Sequence, residues 1–215
     1  MRYRRPKHYR EKLKREEEFY YIESPELYKG RWRQFSKEEG RLLLEIGMGR
    51  GSFLHEMAQR HRQDFFLGME KLEALLIQSC ERARENGIEN LRFLGADASN
   101  LREYFEEDEV DGIYLNFSDP WKKSRQAKRR LTHIDYLQTY SAISKNGAFL
   151  HFKTDNRELF DFSVESLKHS DYEIEYLSFD LHADASRKDN VQTEYEKNFS
   201  SQGIPICKAE CRLKK

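Results

Sequence analysis

Cysteine is scarce in this chain: Cys80, Cys207 and Cys211 are the only three in 215 residues. The last two lie four apart with no second Cys or His pair beside them, which excludes a zinc site of familiar spacing, and an odd number does not make a disulfide framework. Buried free thiols in a reducing compartment are the expectation. Long apolar runs are missing too. No window approaches the roughly eighteen residues of a membrane-spanning helix, and the N-terminus lacks the apolar core of a secretory signal, so the expected location is the cytoplasm. Net charge is absent, with 38 Lys and Arg against 38 Asp and Glu, so the total announces no polyanionic partner. Apolar residues make up only 38% of the chain, yet 14 Phe and 12 Tyr supply the bulk for a core and exclude disorder throughout. No Ser–His or Cys–His constellation offers a covalent nucleophile, and His151, inside an apolar run, reads as structural.

What is present is unevenly distributed charge, and local fields steer association more than totals do. Arg2, Arg4, Arg5, Lys7, Arg10, Lys12, Lys14 and Arg15 crowd the N-terminus. Residues 1–28 are charged and aperiodic and read as a flexible basic arm or loosely attached helix, leaving 29–215 as a single domain. From Arg41 onward apolar runs alternate with helical periodicity. Seven strands are expected, over 41–46, 64–69, 91–94, 112–117, 148–153, 172–181 and 204–211. Helices are expected over 52–61, 72–86, 101–105, 132–144 and 156–168. The alternation predicts an α/β fold with βαβ units and a doubly wound, mostly parallel sheet; the last two strands lack a clear crossover helix, so one is expected antiparallel at the edge. In such a sheet ligands sit beyond the carboxyl ends of the strands.

The motifs fall at those ends. Glu45-Ile46-Gly47-Met48-Gly49-Arg50-Gly51 closes the first strand before a helix. Its glycines permit a tight turn and a close backbone approach to a ligand. A dinucleotide loop would carry glycines at 47, 49 and 52, but position 52 is serine. Glu45 would also repel a pyrophosphate. A carboxylate here suits a ligand bearing positive charge, and S-adenosylmethionine carries an ammonium and a sulfonium. Glu70, ending the second strand, can accept both ribose hydroxyls. Asp97, after the third, can accept the adenine amino group.

The fourth strand runs into Asn116-Phe117-Ser118-Asp119-Pro120-Trp121-Lys122-Lys123-Ser124-Arg125-Gln126-Ala127-Lys128-Arg129-Arg130. An Asp-Pro-aromatic turn can hold a flat heterocycle, and the adjoining cations can hold phosphates, which points to chemistry on a nucleic acid. The bland alternative is a strand followed by a solvated basic helix start.

These residues resemble the bacterial-type tRNA (guanine-N7)-methyltransferases. The resemblance runs from about Arg41 to the C-terminus. It rests on the glycine loop at 45–51, Gly68-Met69-Glu70, the block 116–123, Lys128-Arg129-Arg130-Leu131, Lys153-Thr154-Asp155-Asn156 and Thr193-Glu194-Tyr195-Glu196. It implies a Rossmann-like class I S-adenosylmethionine-dependent methyltransferase that modifies N7 of a guanine in the tRNA variable loop, with no metal and no membrane. It further implies that Glu45, Gly47, Gly49, Gly51, Glu70, Asp97 and Asp119 line the cofactor, with Asp119 also catalytic. Lys123, Asp155, Thr193, Glu194, Tyr195 and Glu196 would contact the substrate, and Arg125, Lys128, Arg129 and Arg130 the RNA.

Guanine N7 has an in-plane lone pair, so its methylation needs alignment rather than a strong base. Asp119 and Asp155 are the carboxylates placed to favour the cationic purine or to read the guanine edge. Trp121 has two roles open to it, stacking on the base or packing under its loop. Glu196 likewise can read the guanine or cap its own helix together with Thr193. Rival functions are a methyltransferase for exocyclic amines, whose turn would need a second proline; an RNA-binding protein without catalysis; and a small-molecule methyltransferase. Oligomeric state, monomer or homodimer, is not encoded legibly.

Overall fold

The computed structural model describes residues 7–17, 19–36, 39–187 and 189–215. Arg2, Arg4 and Arg5 of the basic N-terminus lie outside the described residues. The chain divides into two compact units, Met1–Glu106 and Glu107–Lys215, with four strands in each.

The first unit holds helix α1 (Tyr9–Glu16), strand β1 (Tyr21–Ile22), strand β2 (Leu42–Ile46), helix α2 (Ser52–Arg60), strand β3 (Phe65–Met69), helix α3 (Glu73–Glu85), strand β4 (Leu91–Leu94) and the short α4 (Leu101–Tyr104). Its strands lie in the order β1-β4-β3-β2, all parallel. Every residue of β2 and β3 is buried, which is why β3 reads as an unbroken apolar run and β2 as one interrupted only by Glu45, rather than as alternation. Helix α2 begins at Gly51 in the left-handed conformation and buries Phe53, Leu54 and Ala58 on one face. Arg41 and Asp64 clamp the strand starts: the backbone N–H of Arg41 donates to Asp64 Oδ1 at 3.0 Å and its Nη2 to Oδ2 at 2.6 Å.

The N-terminal residues, read as a flexible arm or loosely attached helix, contain helix α1, which buries Leu13 and packs on α3. They also contain β1, which pairs Tyr21 with Phe93 and Ile22 with Leu94. Buried Glu16 is paired with Arg84 at 3.2 Å. Downstream, Trp32 is fully buried; its indole N–H donates to the Tyr104 carbonyl at 2.9 Å, and its ring lies 5.5 Å from that of Phe105. A few apolar anchors thus dock a segment whose average composition is that of a solvated chain.

The second unit holds β5 (Val110–Asn116), α5 (Ile134–Ile143), β6 (Ser144–Thr154), α6 (Arg157–Lys168), β7 (Tyr172–Ser178), α7 (Glu194–Ser200) and β8 (Cys207–Leu213). The order is β5-β6-β8-β7. Strand β6 is parallel to β5, whereas β8 is antiparallel to both β6 and β7. The antiparallel strand is therefore the last in the chain, inserted beside the edge strand β7. The fold is α/β and mostly parallel, with eight strands rather than seven; the added one is β1. Helix α6 is capped by Asn156, whose Oδ1 accepts the Leu159 N–H at 2.8 Å. The polar stretch before β8, read as lacking a clear crossover helix, contains the short α7, which starts at the Thr193 cap expected from the sequence.

Among the described residues, no helix is long and apolar enough to cross a membrane, and no His, Cys, Asp and Glu cluster could hold a metal ion. Cys80, Cys207 and Cys211 are free and buried.

Candidate active site

In the first unit the predicted cofactor residues converge at the carboxyl ends of β2, β3 and β4. Gly47, Gly49 and Gly51 have φ of 76°, 59° and 68°, the left-handed region that glycine enters at no steric cost. Gly47 and Met48 donate their N–H groups to the Met69 carbonyl at 2.9 and 3.1 Å. Gly49 donates to Glu70 Oε2 at 3.0 Å, and Glu70 Oε1 accepts from Lys71 and Leu72 at 2.7 and 3.0 Å. One carboxylate therefore ties the glycine loop to the turn that opens α3. Glu45 is buried on β2, in register with Gly68.

Asp97 accepts the Ser99 N–H at 2.9 Å and pairs with Lys71 Nζ at 2.6 Å. Partial burial alone would raise its carboxyl; the Lys71 ammonium and the Ser99 hydrogen bonds outweigh that and hold it below the usual range. A cavity of about 450 Å³ adjoins this corner, lined among others by α1 residues Arg10 and Lys14, by Tyr21, and by Lys71 and Gly95. Beside the loop, a Cβ added at Gly49 would meet nothing within 4 Å. An open glycine backbone, flanked by carboxylates at successive strand ends, fits a cationic nucleoside such as S-adenosylmethionine.

In the second unit the Asp-Pro-Trp turn leaves β5 in a strained conformation. Phe117 and Trp121 have φ of 52° and 42°, costly for residues with a Cβ. Two anchors hold it. The Phe117 N–H donates to the Lys153 carbonyl at 2.8 Å. Arg130 donates through Nε to the Pro120 carbonyl at 3.0 Å and through Nη2 to the Trp121 carbonyl at 3.2 Å, and it lies 4.4 Å over the Phe162 ring. Arg130, expected among the RNA contacts, is half-buried and holds the turn, and the exposed cations of the run are Lys122, Lys123, Arg125, Lys128 and Arg129. Arg129 lies 5.0 Å over the Trp121 ring and covers one of its faces. Asp119 is exposed and Asp155, just past β6, is half-buried.

The motif at 193–196 divides. Thr193 caps α7, its Oγ1 accepting the Glu196 N–H at 2.9 Å. Glu196 is 0% exposed. Its Oε2 accepts from Lys153 Nζ at 2.6 Å, and its Oε1 accepts from Asn190 Nδ2 at 2.6 Å with His182 Nε2 at 3.2 Å. Of the two roles open to Glu196, the structure shows the local one: its carboxylate lies in a buried ion pair and its backbone N–H completes the helix cap. Glu194 and Tyr195 point outward, and the Tyr195 ring lies 6.3 Å from that of Phe117 with 19° between planes.

Asn190 and His182 carry no signal in the sequence, and the ion-pair role of Lys153 has none beyond its apolar setting in a strand and its place in the 153–156 motif. His55 is likewise unmarked. This imidazole is buried behind the glycine loop, and burial first, then Arg82, pushes it down to about 4.

Residues 39–209 match the family model described as "Putative methyltransferase". Solved structures of similar fold include the 16S rRNA methyltransferase KamB, with a TM-score of 0.66 at 12% identity over 86% of this chain and 94% of that one. Another is a SAM-dependent methyltransferase from Aquifex aeolicus, with a TM-score of 0.56 at 14% identity over 94% of this chain and 97% of that one. The family match defines a methyltransferase, and the α/β fold is the one shared with these methyltransferase structures. Among curated relatives, the tRNA (guanine-N(7)-)-methyltransferase of Macrococcus caseolyticus is 45% identical over 79% of this chain and 80% of its own. Its counterpart in Exiguobacterium sibiricum is 40% identical over 94% of each chain. The chain belongs to the tRNA (guanine-N7)-methyltransferase family.

Proposed function

We propose that this protein methylates N7 of a guanine in the variable loop of tRNA, with S-adenosylmethionine as donor. The observation that carries the reading is the turn from Asn116 to Trp121. It is strained at both ends, pinned by Lys153 and Arg130, and it displays Asp119 beside a row of exposed cations. Strain kept in place by dedicated anchors is characteristic of a positioned functional loop. A tRNA substrate is consistent with a cytoplasmic enzyme, and the unbroken family match over 39–209 supports one methyltransferase domain.

Glu45, Glu70, Asp97 and the backbone of Gly47, Gly49 and Gly51 would hold the donor. When bound, S-adenosylmethionine supplies an electrophilic methyl group on a sulfonium. The chain's own contribution is alignment and charge. Guanine N7 presents its lone pair without losing a proton, so no side chain here acts as a strong base. As the purine becomes cationic, the carboxylates of Asp119 and Asp155 favour it electrostatically. Lys123, Arg125, Lys128 and Arg129 neutralise phosphates and set the RNA's register. The buried thiols stay protonated, with burial pushing Cys211 up to about 12, and they take no part.

The test is incubation with labelled S-adenosylmethionine and an unmodified tRNA transcript, then borohydride–aniline cleavage at N7-methylguanosine. The expected result is one cut, in the variable loop. Label without a cut would move the target to another atom, and no label would reject tRNA as the acceptor.

A further inference from the structure

The geometry points to Glu196 as a positioning residue that acts through Lys153, with the exposed ring of Tyr195 as the group it positions against the substrate base. This rests on the tRNA reading above and assigns a division of labour within the 193–196 motif.

Lys153 faces two elements. Its backbone carbonyl accepts the Phe117 N–H, fixing the first residue after β5. Its ammonium, 4% exposed, reaches Glu196 Oε2 at 2.6 Å, the Val191 carbonyl at 2.9 Å and Asn190 Oδ1 at 3.4 Å. One side chain therefore joins the strained turn to the segment that leads into α7. Glu196, fully buried, has both oxygens engaged, one by Lys153 and the other by Asn190 and His182. A carboxylate so enclosed has no route to a guanine edge without breaking a buried pair, which is far more costly than the contact would repay.

What the pair fixes is the placement of α7. One residue before Glu196, Tyr195 is 59% exposed. Phe117, Tyr195 and Phe199 form a set with ring centroids 6.3 Å apart and near-parallel planes. An exposed aromatic ring held beside the turn by two neighbouring rings is a platform on which an unstacked base can lie. Such stacking is tolerant of base identity. Tyr195 would therefore set the angle of the purine, and discrimination of guanine falls to Asp119 and Asp155.

The test is a double-mutant cycle on the full-length enzyme with Glu196→Gln, Tyr195→Ala and the combination, reading tRNA KM, kcat, S-adenosylmethionine Kd and thermal stability. Tyr195 is exposed, so its variant folds; the expected change is a tRNA KM raised about tenfold, the size of one lost base stack, with donor Kd unchanged. Glu196→Gln is expected to raise KM by a similar factor, and the double variant is expected to be no worse than either alone. Because Glu196→Gln leaves the Lys153 charge buried and unpaired, a second variant, Lys153→Gln with Glu196→Gln, removes both charges while keeping donors and acceptors. It is expected to recover stability and most of the KM. Additive KM effects, or a charge-free pair that is stable yet as impaired as Glu196→Gln, would mean that Glu196 touches the substrate itself and would overturn the inference. A stability loss in Glu196→Gln with KM unchanged would reduce the pair to a structural one. If wild-type enzyme methylates no tRNA, the proposed function fails instead, and coupling between Lys153 and Glu196 in urea unfolding is still measurable.

Discussion

The backbone N–H of Gly49 donates to the side chain of Glu70 at 3.0 Å, joining the loop after β2 to the end of β3. The same carboxylate also accepts the first N–H groups of the turn into α3. Glu70 is therefore the fastener of the cradle as well as its expected ribose acceptor. Hydrogen bonds to a charged group contribute about 1.5–3 kcal/mol each. Glu70→Ala is accordingly expected to weaken S-adenosylmethionine binding by ten- to a hundredfold or so. Titration calorimetry measures this, and tRNA binding in the absence of donor is expected to stay at the wild-type level.

The glycines of the loop make a graded pair. An alanine at Gly49 or Gly51 carries the left-handed penalty of about 1–2 kcal/mol. At Gly51 its Cβ would also lie 2.9 Å from Ser79 Oγ, whereas at Gly49 it meets nothing within 4 Å. Urea unfolding is expected to show Gly51→Ala as the more destabilised. Gly49→Ala is expected to retain more stability and to lose donor affinity, because its methyl group enters the open side of the cradle.

Arg129 and Arg130 are neighbours with different tasks. For single-stranded RNA each phosphate neutralised adds about −0.7 to the slope of log K against log salt. Arg129→Ala and Lys128→Ala are each expected to flatten that slope, measured by filter binding across salt concentrations. Arg130→Ala is expected to leave the slope unchanged and to lower kcat, because the Pro120 and Trp121 carbonyls lose their donor. Equal changes in slope for both arginines would refute the distinction.

His55 and His151 give the fold a pH dependence. Each is held neutral, at about 4, with desolvation by burial as the leading cause. In the unfolded chain an imidazole titrates near 6.5, so between pH 6.5 and 4 the unfolded state binds the extra protons. Their contribution is complete above pH 6.5 and is lost as the pH falls toward 4. The expected loss between pH 7 and pH 5 is roughly 1–2 kcal/mol per histidine. His151 lies among aromatic rings, 4.4 Å from Phe149 and 5.6 Å from Tyr114. His151→Phe is therefore expected to remain folded and to show a smaller stability difference between those two pH values in urea titrations.

Local pattern was enough for most elements. Strands β2 and β3 are apolar at nearly every position because both faces are covered, and the glycines after β2 punctuate the chain at the start of α2. Strand β1 is two residues long and has no period to read, so only its pairing with β4 reveals it. For α1 the composition leaves a flexible arm and a loosely attached helix both open, because only a few contacts, Leu13 and the Glu16–Arg84 pair among them, dock it.

The sequence by itself determined the α/β class, the family and the strand ends where the expected cofactor residues gather, because periodicity, glycine turns and motif spacing are properties of neighbouring residues. Only the tertiary structure decided which charged residues face solvent. Lys153 and Glu196 are 43 positions apart, and Arg130 belongs to a run of cations whose other described members are mostly exposed. Whether such a group meets a phosphate or folds back onto a carbonyl depends on what lies within about 4 Å of it, and in a folded chain that is set by contacts distant in sequence.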